Sequence, residues 1–343
     1  MQREKTLVEL ADGAGGRAMA QFLADVIFPH FKLNRFQDGI GLAEADDGAT
    51  IPFGDKAIVV STDSHTVSPL FFPGGDIGSL AAAGTINDVA MMGARPLVMT
   101  SALVIEEGFP VKKLHMILES MAATAAEEQV AIIAGDTKVM PKGGIDQIII
   151  CTTGFGLIEK GPVITDSGVK AGDKLIMTGS IGDHGIALLA SREGLSFETD
   201  LRSDIAPLWS LVREALKVGG IHAMKDPTRG GLSAALNEFA KKSGVGLIVE
   251  EEKLPFHREV LAASQMLGLD PLQVTCEGKA LIAVEAEKAD KVLQVIRQNK
   301  YGKLAQIIGE VNADHPGRVM MKTEVGGSRI IQHPWAEAIP RVC

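Results

Sequence analysis

Apolar positions fall along this chain in short runs broken by turn residues, and their spacing alternates between two periods. Between 112 and 128 the apolar side chains are Leu114, Ile117, Leu118, Met121, Ala122 and Ala125, the i, i+3, i+4, i+7 recurrence of one helical face. Ala57 to Ser61 reads as a buried strand, Asp76 to Met92 as a helix, and Leu97 to Ile105 as a second strand. The runs Val130 to Ala134 and Gln147 to Thr153 are short enough for buried strands. At GLIEKGPVITDSGVKAGD the pattern dissolves into turn residues, which predicts a domain boundary. A second series follows: the strand DKLIMTG, helices near 184–193 and 205–217, and a helix LSAALNEFAKK. That helix carries an apolar face of Leu232, Ala235, Leu236, Phe239 and Ala240. Strand GVGLIVE, a helix after Phe256, strand ALIAVEA, a helix to about Gln298 and three short strands complete the body. The pattern predicts an α/β (α+β) fold of mixed sheets covered by helices. Its divisions are an N-terminal segment 1–35 with a Gly-rich loop, domains 36–158 and 159–331, and a tail 332–343. The tail contains Pro334 and Pro340 and offers little reason to pack, so it reads as mobile.

A length of 343 residues favours two cores over one, and 46% hydrophobic residues are enough to fill them. Aromatics make up only 4% and the net charge is -9, which argues against stacking platforms and phosphate-backbone binding. No nucleic-acid partner is expected. MQREKTLVELADG lacks the apolar core of a signal peptide, and no run reaches the roughly twenty apolar residues of a membrane span. With Cys151, Cys276 and Cys343 widely spaced, a disulfide framework is disfavoured and a cytoplasmic location is expected.

The chain has no P-loop, no complete G-x-G-x-x-G, no C-x-x-C, no H-E-x-x-H and no G-x-S-x-G. Its candidate chemistry lies in acidic residues at the ends of apolar strands. AIVVSTDS delivers Asp63 where a strand meets a loop, and VAIIAGDTKV sets Asp136, Thr137 and Lys138 directly after another. Asn87 and Asp88 sit on a helix of small residues that permits close approach of a ligand, and Asp46 and Asp47 are an adjacent pair. In DPTRGG, Asp226 precedes Pro227, and Thr228, Arg229, Gly230 and Gly231 open a helix, a natural phosphate cradle. Singly, each is as well read as a turn former, a cap or a solvated loop. Together they suggest a shared metal–phosphate site, because hard cations take carboxylates plus substrate phosphates. Lys138 and Arg229 would neutralise phosphate charge. Cys343, the last residue given, is an accidental thiol on one reading and a reactive group on another.

The set DGAGG, DDGA, STDS, PLFFPGGDIG, GTINDVAMMGA, GDTKV, GDHG, DPTRGG, CEGK and PRVC resembles the HypE family of hydrogenase maturation proteins. That family belongs to the superfamily of aminoimidazole-ribonucleotide synthetase and selenophosphate synthetase, and the likeness runs from about Leu10 to Cys343. The resemblance implies a homodimer whose N-terminal strands form a barrel across two copies, with ATP between the domains. It implies that Asp46, Asp47, Asn87, Asp88, Asp136, Thr137, Lys138, Thr228, Arg229 and Gly230 bind the nucleotide. Asp47, Asp63, Asp88 and Asp226 would bind Mg²⁺, with the Gly13–Gly16 loop closing over phosphates. It further implies that the carbamoyltransferase HypF loads a carboxamide onto the Cys343 sulfur. ATP-driven dehydration would turn it into a thiocyanate, and a HypC–HypD complex would receive the cyano group for the [NiFe] hydrogenase iron. Catalysis would fall to Cys343, Lys138 and Glu277, with Asp183 and His184 as weaker candidates for the base. An ion pair of Glu277 with Lys279 or Lys138 is the alternative for that residue. Selenophosphate synthetase would want a reactive residue in the glycine loop, where DGAGG has none. A docking protein that uses ATP only to gate partners remains the reading from another class.

Overall fold

The computed structural model of the chain describes residues 6–159, 161–193 and 201–343. Its first part runs α1 (Gly16–Phe22), β1 (Ala49–Phe53), β2 (Lys56–His65), β3 (Phe71–Phe72), β4 (Gly75–Asp76) and α2 (Ile77–Met91). Then come β5 (Arg95–Glu106), α3 (Val111–Glu127), β6 (Ala131–Met140) and β7 (Ile148–Ile158). The sheet order is β1-β2-β7-β5-β6, antiparallel throughout except for the parallel pair β5–β6.

Helix α2 lies against β2 and β7 on one side and α3 on another, and nearly all of it is buried. Asp76 caps it, its Oδ1 accepting from the amides of Gly78 at 2.7 Å and Ser79 at 3.0 Å. The small residues of this helix serve close packing rather than a ligand. A Cβ on Gly78 would lie 2.0 Å from the carbonyl oxygen of Ile117, and one on Gly156 of β7 2.3 Å from Val89. Tight packing fixes α2, and with it Asn87 and Asp88, rigidly over the sheet.

Two strands differ from the sequence expectation. β2 continues to His65, so Asp63 lies inside the strand, opposite Thr152, rather than at its end. β6 continues through Asp136, Thr137 and Lys138, and every one of its residues is exposed. The run around Ile132 is therefore an uncovered edge strand, whereas β7, around Ile149, alternates buried and half-buried positions. Period-2 apolarity marks a face to be covered without saying which chain covers it.

The second part comprises β8 (Lys174–Met177), α4 (Asp183–Glu193), α5 (Trp209–Val218), β9 (Ile221–Lys225), α6 (Gly231–Ser243) and β10 (Gly246–Glu250). It continues with α7 (Arg258–Leu267), β11 (Leu281–Val284), α8 (Ala286–Gln298), β12 (Gln306–Asn312), β13 (Val319–Lys322) and β14 (Ser328–Ile330). The order is β14-β13-β10-β12-β8-β11-β9, with only β10–β13 parallel. The unbroken apolarity of β8 and β11 reflects burial on both faces. Leu175, Met177, Leu281 and Ala283 pack with the apolar face of α6, and Ile176, Ile282 and Val284 pack with α5 and α8.

The tail corrects the reading that it has little reason to pack. Residues 332–343 form no helix or strand, yet Ile339 is 4% exposed and Val342 fully buried in the core that holds Ile77 and Ile186. Burying each such side chain contributes about 1.5–3 kcal/mol, enough to seat a short irregular segment. No helix among the described residues is long and apolar enough to cross a membrane.

Candidate active site

Four carboxylates predicted from separate motifs lie close enough to act on one another. Burial first, then the charges of Asp63, Asp226 and Asp47, hold the Asp88 carboxyl well above its usual range, against a 2.6 Å hydrogen bond from Ser61 Oγ. Burial and Asp47 lift Asp226 to about 8, with Lys225 opposing. Asp47 is also raised by burial and is held by an ion pair from Lys225, which reaches Glu238 at 3.2 Å and Asp166 at 3.6 Å. Through Asp166, which also acts on Asp47, Asp46 joins the same cluster. It meets Lys242 at 3.3 Å, and burial, then its hydrogen bond with Asp166, pushes it up to about 7. The adjacent pair thus shares Asp166 but meets different lysines, and neither member is a solvated loop residue.

The loops of DPTRGG and CEGK pair directly, the Cys276 amide donating to the Pro227 carbonyl at 3.1 Å. This carries Glu277 into the interior at 3% exposure, with its Oε1 among the buried atoms that lack a hydrogen-bond partner. Burial, then Asp226 and Asp204, force the Glu277 carboxyl well above its normal range. Lys279 pairs with Asp204 at 3.3 Å, and the ion pairs among the described residues include none from Lys279 or Lys138 to Glu277. Asn87, expected at the nucleotide, is spent on backbone. Its Nδ2 donates to the carbonyls of Ala206 at 3.0 Å and Glu277 at 3.3 Å, and its Oδ1 accepts from the Leu208 amide at 2.8 Å. It braces the Glu277 loop, leaving little capacity for a ligand.

Into this site comes the tail. An ionised Cys343 sulfur would be the foremost influence raising the Arg229 guanidinium, and Asp63, Glu337 and Asp88 act in the same direction. Burial pushes the Cys343 thiol well up, Arg229 opposes this, and Glu277, Glu337 and Asp63 add to it. The thiol therefore stays protonated where it sits. Glu337, which no motif singled out, is lifted to about 7 by burial against the pull of Arg229.

The Gly-rich loop holds the tail as well. The amides of Arg17 and Ala18, in the first turn of α1, donate to the carbonyls of Pro334 at 3.0 Å and Trp335 at 2.9 Å. The amide of Glu337 donates to Ala14 at 2.8 Å, and the Arg17 guanidinium lies 5.6 Å from the Trp335 ring centre. Gly15 and Gly16 have φ of +66° and +63°, and a Cβ on them would lie 2.6 Å from Arg229 Cβ and the Pro334 oxygen respectively. The loop expected over phosphates here closes on residues 334–337.

Asp136, Thr137 and Lys138 are not brought to this site within one chain. Lys138 is 67% exposed on β6 and pairs with Asp136 at 2.8 Å. The pairing of Lys138 with Glu277 is therefore not assembled by one chain. Thr228 and Gly230 stand beside Arg229, Gly230 being left-handed at φ +82° with Pro334 against it. Sequence reasoning missed Lys225, Lys242, Asp166 and Glu337, since scattered charges carry no periodic signal.

The donors fit a hard divalent cation in kind, being all carboxylate oxygens whose crowding favours added positive charge. Among the described residues no three His, Cys, Asp or Glu side chains form a ready-made metal cage. That is the expected arrangement where phosphates and water complete the coordination.

Two family models match, AIR synthase related protein N-terminal domain over residues 45–158 and C-terminal domain over 170–322. Carbamoyl dehydratase HypE of Cupriavidus necator is 44% identical over 339 residues, covering 98% of this chain and 95% of the relative. The crystal structure of a HypE–HypF complex superposes with a TM-score of 0.85 at 44% identity, covering 91% of this chain and 99% of the other. A HypE crystal structure in complex with ATP gives a TM-score of 0.81 at 39% identity, covering 97% and 99%. With its mixed α/β two-domain fold and these relatives along nearly its whole length, the chain belongs to the HypE carbamoyl dehydratase family of the AIR synthase-related proteins.

Proposed function

We propose that this protein is an ATP-dependent carbamoyl dehydratase whose substrate is a carboxamide carried on its own Cys343 sulfur. The observation that carries the reading is the docked tail, which brings Cys343 within electrostatic range of Arg229 and of the buried Glu277, whose Oε1 has no hydrogen-bond partner. The carboxamide oxygen attacks the terminal phosphorus of ATP and ADP departs. The nitrogen then loses its two protons as the C–O bond breaks and phosphate leaves with that oxygen. The products are the thiocyanate on Cys343, ADP, phosphate and a proton.

Glu277 suits the proton transfers. A carboxylate with a raised affinity for protons and a free Oε1 can accept an N–H hydrogen bond and then the proton. Arg229 offers a fixed positive charge to the developing phosphate. Asp47, Asp63, Asp88 and Asp226 would hold Mg²⁺ when nucleotide is bound, and the ion would screen phosphate charge. Lys138, with Asp136 and Thr137, would act from a second copy. The uncovered face of the first sheet, where Ile133 and Val139 of β6 and Phe53 of β1 are exposed, favours a homodimer whose strands close a barrel. HypF as loading partner follows the complex known for a relative, and HypC–HypD as acceptor follows the family reading.

The test is to incubate the chain with the carbamoyltransferase, carbamoyl donor and ATP, then weigh its C-terminal peptide. A gain of carboxamide, then an ATP-dependent loss of water, is expected. A loaded Cys343 that keeps its mass with ATP present would sink the reading.

A further inference from the structure

The last four residues are held by their backbone. Each of their carbonyls accepts a hydrogen bond from the body of the protein. Arg192 Nη1 donates to Pro340 at 2.7 Å, and Arg192 Nη2 to Arg341 at 3.1 Å. The same guanidinium ties down the opposite wall, giving two bonds to the Ser68 carbonyl at 3.0 and 2.6 Å. His184 Nε2 meets the Val342 carbonyl at 2.8 Å, and the Thr66 amide donates to the Cys343 carbonyl at 3.2 Å. A carbonyl only accepts, so His184 carries its hydrogen on Nε2, and Nδ1 accepts from Ser203 Oγ at 2.8 Å. That ring is fully buried, edge-on to Phe72 at 5.4 Å, so it has no freedom to turn away. The side chain of Val342 fills an apolar pocket between these donors, which fixes which residue faces His184.

We propose that His184 and Arg192 are positioning residues of a backbone clamp that sets the register of residues 340–343 and so delivers the Cys343 sulfur to Arg229 and Glu277. This rests on the dehydratase reading and adds to it the means by which a tethered substrate is aimed. Neither residue meets the reacting atoms. A tether alone supplies concentration, but a reaction at the sulfur substituent also needs orientation, and a clamp on successive carbonyls provides that without contacting the cargo. GDHG thus contributes a positioning group rather than the base.

The test uses the full chain and its His184→Ala, His184→Gln, Arg192→Ala and Arg192→Lys variants. A further variant has one glycine inserted between Val342 and Cys343. Dehydration is followed in a single turnover after equal loading, and free Cys343 is separately titrated with iodoacetamide. Losing hydrogen bonds of this kind should slow dehydration by about 10- to 100-fold and speed alkylation by about tenfold, with ATP binding unchanged. Gln, which keeps a donor near the Nε2 position, should recover much of both effects at 184, and Lys part of both at 192. The insertion should abolish dehydration while leaving loading intact. Parental dehydration and alkylation in both Ala variants would overturn the clamp. If His184→Ala misfolds, Arg192→Ala decides alone. If the parent chain loads but never dehydrates, the dehydratase reading fails, and alkylation still decides whether the clamp exists.

Discussion

Asn87 Nδ2 donates to the carbonyl of Glu277 at 3.3 Å, tying the rigid helix α2 to the loop that holds the proposed base. Because the same side chain also serves Ala206 and Leu208, it welds three backbone groups of the second part to one residue of the first. Asn87→Ala should cost about 1–3 kcal/mol for the buried groups left unpaired, read as a lower midpoint in urea or heat. It should slow dehydration far more than it weakens ATP binding. Equal losses in both would mean that Asn87 meets the nucleotide.

Glu277→Gln keeps the shape of the buried carboxyl but removes its charge and basicity. Dehydration of the loaded chain should fall by at least about a hundredfold, the lower end of what a lost general base costs. Stability should move the other way. The folded carboxyl binds its proton more tightly than the unfolded one, so its stabilising share is complete below the unfolded value and is lost as pH rises. The Gln variant should therefore outlast the parent increasingly as pH rises from the ordinary glutamate value of 4.5 through neutrality in thermal unfolding. A constant gap across that range would contradict the buried, proton-avid carboxyl.

Tail seating should depend on pH through Glu337. Its carboxyl is lifted to about 7 in the docked tail, from an ordinary value of 4.5, so docking is favoured while it is protonated and weakens as pH rises through 7. The limit of the effect is on the order of 3 kcal/mol. Trp335 stacks near Arg17 in the same segment and reports on seating, and the chain has only one other tryptophan. In a Trp209→Phe background, Trp335 fluorescence should titrate near neutrality, and Glu337→Gln should flatten that titration. An unchanged titration in the Gln variant would remove Glu337 as its source.

Gly16→Ala should loosen the tail from the other end. The position needs a positive φ, and an added Cβ would sit 2.6 Å from the Pro334 oxygen, so loss of more than about 1 kcal/mol from the loop–tail contact is expected. Cys343 should then be alkylated several-fold faster, while Gly13→Ala, whose added Cβ would meet nothing within 4 Å, should leave it alone. The same rate in both variants would argue that the loop does not hold the tail.

Much of this architecture was legible in the order of residues. The face of α6 from Leu232 to Ala240 reads as helix because a 3.6-residue period has one geometric solution, and that face is buried as the period requires. The motifs naming Asp47, Asp63, Asp88 and Asp226 were equally visible, and the folded chain brings them into mutual electrostatic range. Local pattern also identified Arg229, set in a turn-rich loop that opens a helix, whereas Glu277 entered only through the family resemblance of CEGK.

What only the tertiary structure decided depends on partners far apart in sequence. Asn87 and Asp88 are neighbours on one helix, but one faces the backbone of the second part and the other the carboxylates. β6 has the composition of a buried strand and stands exposed, because an apolar run does not itself supply the neighbour that would cover it. Residues 332–343 carry no periodicity, so nothing local announces that Val342 finds a pocket and that His184 and Arg192 hold the carbonyls around it. Burial and hydrogen bonding between segments some 150 residues apart turned an unpatterned tail into the piece that delivers Cys343.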